Sequence, residues 1–101
     1  MIIYNVTVKI DSSIEKAWLE WLNQEHIPGI INTKCFTKAI VMRVLEIDET
    51  EGITFAIQYH TTTKEMYDTY ISQYAPTFRK KAQERWGEKF VAFRTVLQIV
   101  N

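Results

Sequence analysis

At 101 residues and 47% hydrophobic, the chain has apolar material for one core and too little length for two, so a single domain spanning residues 1–101 is expected. Twelve basic side chains against twelve acidic ones give a formal net charge of zero, which excludes a global field that draws in nucleic acid or an anionic membrane. A lone cysteine, Cys35, excludes an intrachain disulfide, and no apolar stretch is long enough to span a bilayer.

From Ile2 to Ile10, Tyr4, Val6, Val8 and Ile10 alternate with Asn5, Thr7 and Lys9, the period of a strand with one apolar face. That alternation lacks the cationic start and continuous apolar run of a secretory leader, and together with the single cysteine it points to the cytoplasm. Ser12 with Glu15 reads as a capping box, and Ile14, Ala17, Trp18, Trp21 and Leu22 follow at helical spacing, predicting a helix over 13–24. Pro28 has no N–H and disfavours helix at the preceding residue, so His26-Ile27-Pro28-Gly29 is expected to be a break or the start of a short second turn. Phe36 to Ile47 and Ile53 to His60 predict two strands joined as a hairpin, with Gly52 in the acidic turn between them. Thr62 with Glu65 repeats the capping-box signature ahead of Met66, Tyr67, Tyr70, Ile71 and Tyr74, an apolar helical stripe. Pro76 interrupts or reopens this helix, Phe78, Ala82 and Trp86 extend it, Gly87 is placed to cap it, and Phe90 to Val100 is the last strand.

The order βαββαβ predicts an α+β, ferredoxin-like fold: a four-stranded antiparallel sheet with two helices on one face. Alternation assigns Ile3, Asn5, Thr7 and Lys9, then Ala56, Gln58 and His60, then Phe90, Ala92, Arg94, Val96, Gln98 and Val100 to the opposite, uncovered face. Such a face is too apolar for water, so a second copy is expected to cover it as a homodimer, with Arg94, Gln58, Asn5 and Thr7 as the polar groups that the partner sheet must satisfy.

Trp18-x-x-Trp21, Glu25-His26-Ile27-Pro28, Gln58-Tyr59, Tyr74-Ala75-Pro76 and Val91-Ala92-Phe93-Arg94-Thr95 follow one another along the chain. In this combination the sequence resembles the small bacterial family known as domain of unknown function 4286, over essentially its whole length. The resemblance implies the dimeric α/β-barrel form of the ferredoxin-like fold and supplies no reaction.

The residues that carry chemistry each have a plainer structural alternative. His26, at the expected break, is a base or ligand at the mouth of a pocket between helices and sheet, or it caps the turn. Arg94 binds a carboxylate ligand, or it pairs across the dimer. Tyr59 faces the helices with its hydroxyl reaching the edge, as does Tyr4, and Trp18 and Tyr74 belong to an aromatic helix layer that either lines an apolar pocket or fills the core. His26, Trp18, Tyr59, Tyr74 and Arg94 are therefore the candidate ligand-binding set.

His26, Cys35 and His60 lack metal-ligand spacing, no catalytic set can be assigned, no glycine-rich phosphate loop exists, and no cofactor is expected. The third strand, Thr54 to Tyr59, lacks the basic-Gly-aromatic pattern of an RNA-recognition motif, and Arg79-Lys80-Lys81 with Arg85 reads as a solvated helix face, so no nucleic-acid partner is expected. Asn5 matches one member of the haem-degrading Asn, Trp and His set, but no His lies in the second helix or its flanks. The functional expectation is a homodimer that binds a small apolar or aromatic ligand. The alternative is a cofactor-independent monooxygenase or isomerase acting on an aromatic or polyketide-like substrate.

Overall fold

In a computed structural model covering residues 1–101, the strands are β1 (Ile2–Ile10), β2 (Lys38–Arg43), β3 (Ile53–Thr61) and β4 (Phe90–Gln98). They form one antiparallel sheet in the order β2-β3-β1-β4, the ferredoxin-like arrangement read from the element order. Helices α1 (Glu15–Trp21), α2 (Ile27–Ile31), α3 (Lys64–Gln73) and α4 (Ala75–Trp86) supply the apolar side chains that cover one face. No helix is long and apolar enough to cross a membrane.

The core lies between sheet and helices because the alternation of β1 and β3 sends Tyr4, Val8 and Ile10, and Ile53, Phe55, Ile57 and Tyr59, to the same side. Trp18 and Leu22 from the first helical layer and Tyr70, Ala75 and Trp86 from the second pack onto them. At Gly52 (φ 146°) a side chain would run into the Ile10 carbonyl oxygen, so only glycine lets the hairpin turn back against β1.

The structure refines four local expectations. Of the two alternatives at Pro28, the short second turn holds and the break does not: Leu22–His26 forms a π turn, with Ile27 N–H donating to the Leu22 carbonyl, and the chain continues into α2 with Pro28 in its first turn. A proline lacks the N–H that an α turn needs and crowds the carbonyl four residues back, and one wider turn accommodates it without a break. The N-terminal caps are also displaced. Asp11, not Ser12, accepts from Ser13 N–H at 2.9 Å, and Thr63, not Thr62, accepts from Met66 N–H at 3.2 Å. β2 is shorter than Phe36–Ile47, since Phe36 is buried ahead of the strand and the chain turns after Arg43.

The largest correction concerns β4. Its register on β1 sets Phe90 beside Ile10, Ala92 beside Val8, Arg94 beside Val6 and Val96 beside Tyr4, so these residues face the helices. Val91, Phe93, Thr95 and Leu97 occupy the uncovered face instead. On that face Gln58 Nε2 donates to Asn5 Oδ1 at 3.3 Å and Asn5 Nδ2 to Thr7 Oγ1 at 3.0 Å. The central polar residues therefore satisfy one another within the sheet, and Arg94 makes no demand there.

Candidate functional site

Between α1, the π turn, α4 and the sheet lies a cavity of about 60 Å³. Its floor is Tyr4, Val6, Val8 and Ile57 with Ala92 and Arg94. Val6 and Ala92 sit mid-sheet yet are only half-buried, because the helices above them leave this space unfilled. Trp18, His26, Tyr59 and Arg94 of the candidate set all contribute to its wall. Tyr74 does not: it lies at the junction of α3 and α4, where its carbonyl accepts from Thr77 and Phe78.

The aromatic layer divides into two parts. Tyr4, Phe36, Tyr59 and Tyr70 form a packed cluster with contacting ring centroids 5.0–5.9 Å apart, and Trp18 stacks on Phe55 at 5.3 Å, so these rings are core, of which Tyr4, Trp18, Tyr59 and Tyr70 show one side to the cavity. Burial pushes ionisation of the Tyr59 and Tyr70 hydroxyls well above the ordinary tyrosine range. Tyr59 is 2% exposed and lines the cavity, so its ring is core, as expected from sequence.

The second part is a partition. The π turn brings His26 back over Trp21, with rings stacked at 4.5 Å, and Phe78 meets the imidazole edge-on at 5.9 Å. Gly29 permits this approach, since a side chain there would contact the Phe78 ring at 2.9 Å. Outside Trp21, His26 and Phe78 opens a cleft of about 440 Å³ bordered by Glu25, Lys81, Glu84 and Arg85. The same three rings thus separate a small apolar chamber from a wide polar vestibule.

Desolvation, reinforced by the charge of Arg94, lowers the His26 pKa to about 4, and the imidazole is neutral at physiological pH. The unfolded chain, with an ordinary histidine, binds the extra proton first. Stability is therefore complete above about pH 6.5 and falls as the pH drops towards 4. For a half-buried ring the loss should be ~2 kcal/mol. Urea midpoints at neutral pH and near pH 4.5 measure it, and an equally steep loss in His26→Gln would show that another group is responsible.

Arg79 is exposed, as expected for a solvated helix face, yet it also borders the cavity. It lies one turn after Ala75 and shares with Ala82 and Trp86 the side of α4 that faces the sheet, and its guanidinium donates to the Tyr4 hydroxyl at 3.2 Å. The 75-79-82-86 spacing carried that signal, but the adjoining Lys80 and Lys81 obscured it. Trp21 and Phe78 were likewise visible only as helix-stripe residues. No three side chains of His, Cys, Asp or Glu converge anywhere in the molecule.

The sequence matches the family described as domain of unknown function (DUF4286) over residues 1–100, and the chain belongs to that family. No curated protein matches it. Among solved structures it is similar to a dimeric ferredoxin-like protein from an uncultured marine organism, at a TM-score of 0.75 and 10% identity, covering 99% of this chain and 95% of that one. An ethd family protein from Bacillus halodurans is similar at a TM-score of 0.66 and 12% identity, with coverage of 99% and 100%. A Streptomyces coelicolor monooxygenase in complex with the ligand Nanaomycin D is similar at 0.60 and 11% identity, with coverage of 99% and 89%. At these identities the likeness is one of fold.

Proposed function

We propose that this member of the DUF4286 family is a cytoplasmic homodimer, paired through the uncovered sheet face, that binds a small aromatic ligand in the chamber behind Trp21, His26 and Phe78. The observation that carries the ligand reading is the unfilled space over mid-sheet Val6 and Ala92, which is walled mainly by rings and opens onto a vestibule. Pairing is supported by Val91, Phe93 and Leu97, 67%, 63% and 42% exposed on a face whose polar centre is already hydrogen-bonded. The dimeric relative of the same fold adds to this. A lone, buried Cys35 is compatible with a reducing compartment.

Thermal shift against a panel of small aromatic compounds tests the ligand reading. A compound at about one hundred times its Kd should stabilise the fold by ~2.7 kcal/mol. Ala82→Leu, which adds a branched side chain to the cavity wall, should abolish that gain. No stabilisation by any compound would leave a protein–protein module as the better reading.

A second reading is a cofactor-independent monooxygenase or isomerase acting on an aromatic or polyketide-like substrate. It is favoured by the neutral imidazole of His26 on the chamber wall, which can accept a proton, and by a fold shared with a monooxygenase. Compounds that shift the melting temperature, returned to an oxygen electrode and to chromatography, separate turnover from binding.

A further inference from the structure

The chamber is apolar apart from a few groups, and the charged ones have a single sign. Arg79 and Arg94 both lie on its wall, and no Asp or Glu does. Neither takes part in any of the molecule's salt bridges, all of which lie elsewhere. Arg79 has one side-chain hydrogen bond, to the neutral Tyr4 hydroxyl, and Arg94 has none. Arg43 shows how the same chain treats an arginine that has a carboxylate in reach: it holds Glu49 at 2.7 Å and Glu15 at 3.8 Å.

Position sharpens the contrast. Arg94 projects from mid-strand β4, an edge strand, beside Val6, with Ala92 and Val96 as its neighbours on the same face; it is exposed and borders the chamber from the open edge of the sheet. Arg79, Arg94 and Tyr70 all line this one chamber. His26 adds no negative charge. Trp86, 8% exposed and another part of the wall, has an indole N–H with no hydrogen-bond partner. Two unpaired cations, a spare donor and several aromatic rings form a receptor for a flat anion. A carboxylate fits the planar fork of a guanidinium, and a ring fits between Trp21, Phe78 and Trp86.

We propose that the ligand of this chamber is an aromatic carboxylic acid, its carboxylate held by Arg94 and Arg79 and its ring by Trp21, Phe78 and Trp86. This rests on the chamber being a ligand site, which the Ala82→Leu variant probes separately.

Benzoate and its uncharged counterpart benzamide are the probes, titrated against the whole protein at neutral pH by calorimetry and tryptophan fluorescence. Benzoate should bind at least ten-fold more tightly than benzamide, and its affinity should fall as salt is raised. Arg94→Gln should remove most of that preference, weakening benzoate binding far more than benzamide binding. Arg94→Lys, a point charge without the fork, should retain part of it. Equal affinity for the two probes would overturn the acid assignment and leave the pocket standing. If neither binds at about 10 mM, both the assignment and the pocket fail. Should Arg94→Gln not fold, the wild-type ratio of the two affinities and the same ratio in Arg79→Gln still decide the matter.

Discussion

Phe93→Glu should convert a particle of about 24 kDa, twice the 11.9 kDa chain, into the single chain at micromolar concentration. Phe93 stands at the β4 end of a row that crosses the uncovered face through Thr7 and Ala56 to Met42, and it is the largest exposed ring on that face. The rows on either side carry Ile40 and Thr95, and Lys9 and Val91, so the apolar groups lie towards the two edge strands. The middle is closed by the Gln58-Asn5-Thr7 hydrogen bonds. A second sheet laid on this face gains its stability from the outer apolar groups, and a carboxylate at Phe93 forces a charge into the contact from each chain. Losing ~3 kcal/mol there weakens association by more than a hundred-fold, which light scattering reads directly. Phe93→Leu should remain dimeric. A wild-type mass of one chain would end the homodimer reading, and a Phe93→Glu protein that stays dimeric would move the interface elsewhere.

Trp18→Ala should cost about 4 kcal/mol of stability, lowering the urea midpoint by ~2–3 M at fixed protein concentration. Trp18 is 2% exposed and stacks on Phe55 at 5.3 Å, so most of its ring is core, and only one side borders the chamber. Truncation loses the burial of an indole and leaves a void beside Leu22 that the π turn cannot close. Trp21 provides the comparison. It is half-buried and packs on His26 and Trp86, so Trp21→Ala should cost far less stability while removing part of the surface that a ligand ring would contact. Equal losses for the two variants would mean that the aromatic layer is not divided into core and wall.

Much of the fold was legible because it depends on local repetition. In β1 and β3 one parity is apolar from Tyr4 to Ile10 and from Ile53 to Tyr59 while the other is mainly polar, so the alternation alone places Tyr4, Val8, Phe55, Ile57 and Tyr59 against the helices. Gly87 caps α4 at positive φ as its position suggested, with its N–H donating to the Gln83 carbonyl. The candidate site was legible only in part. Trp18, His26, Tyr59 and Arg94 meet at one cavity, but the parity of β4 puts Arg94 on the face opposite to the one expected, and the exposed Arg79 also borders the cavity, which the charge run does not reveal.

The failure at Arg94 has a definite cause. The run Phe90-Val91-Ala92-Phe93 is apolar at both parities, so a period of two cannot say which set faces the core. That choice is made by hydrogen bonds to β1, which set Arg94 beside Val6 at a distance along the chain that no local pattern reports. The π turn is similar: Pro28 announces a disturbance, but whether the chain breaks or widens depends on the packing of His26 against Trp21 and Phe78. The amino-acid sequence by itself determined the element order, the faces of β1 and β3, and an uncovered sheet face too apolar for water. Tertiary structure alone turned Arg94 of β4 towards the helices, set Arg79 of α4 at the same cavity and left both without carboxylates, because strand register and helix packing are set by contacts between residues far apart in the chain.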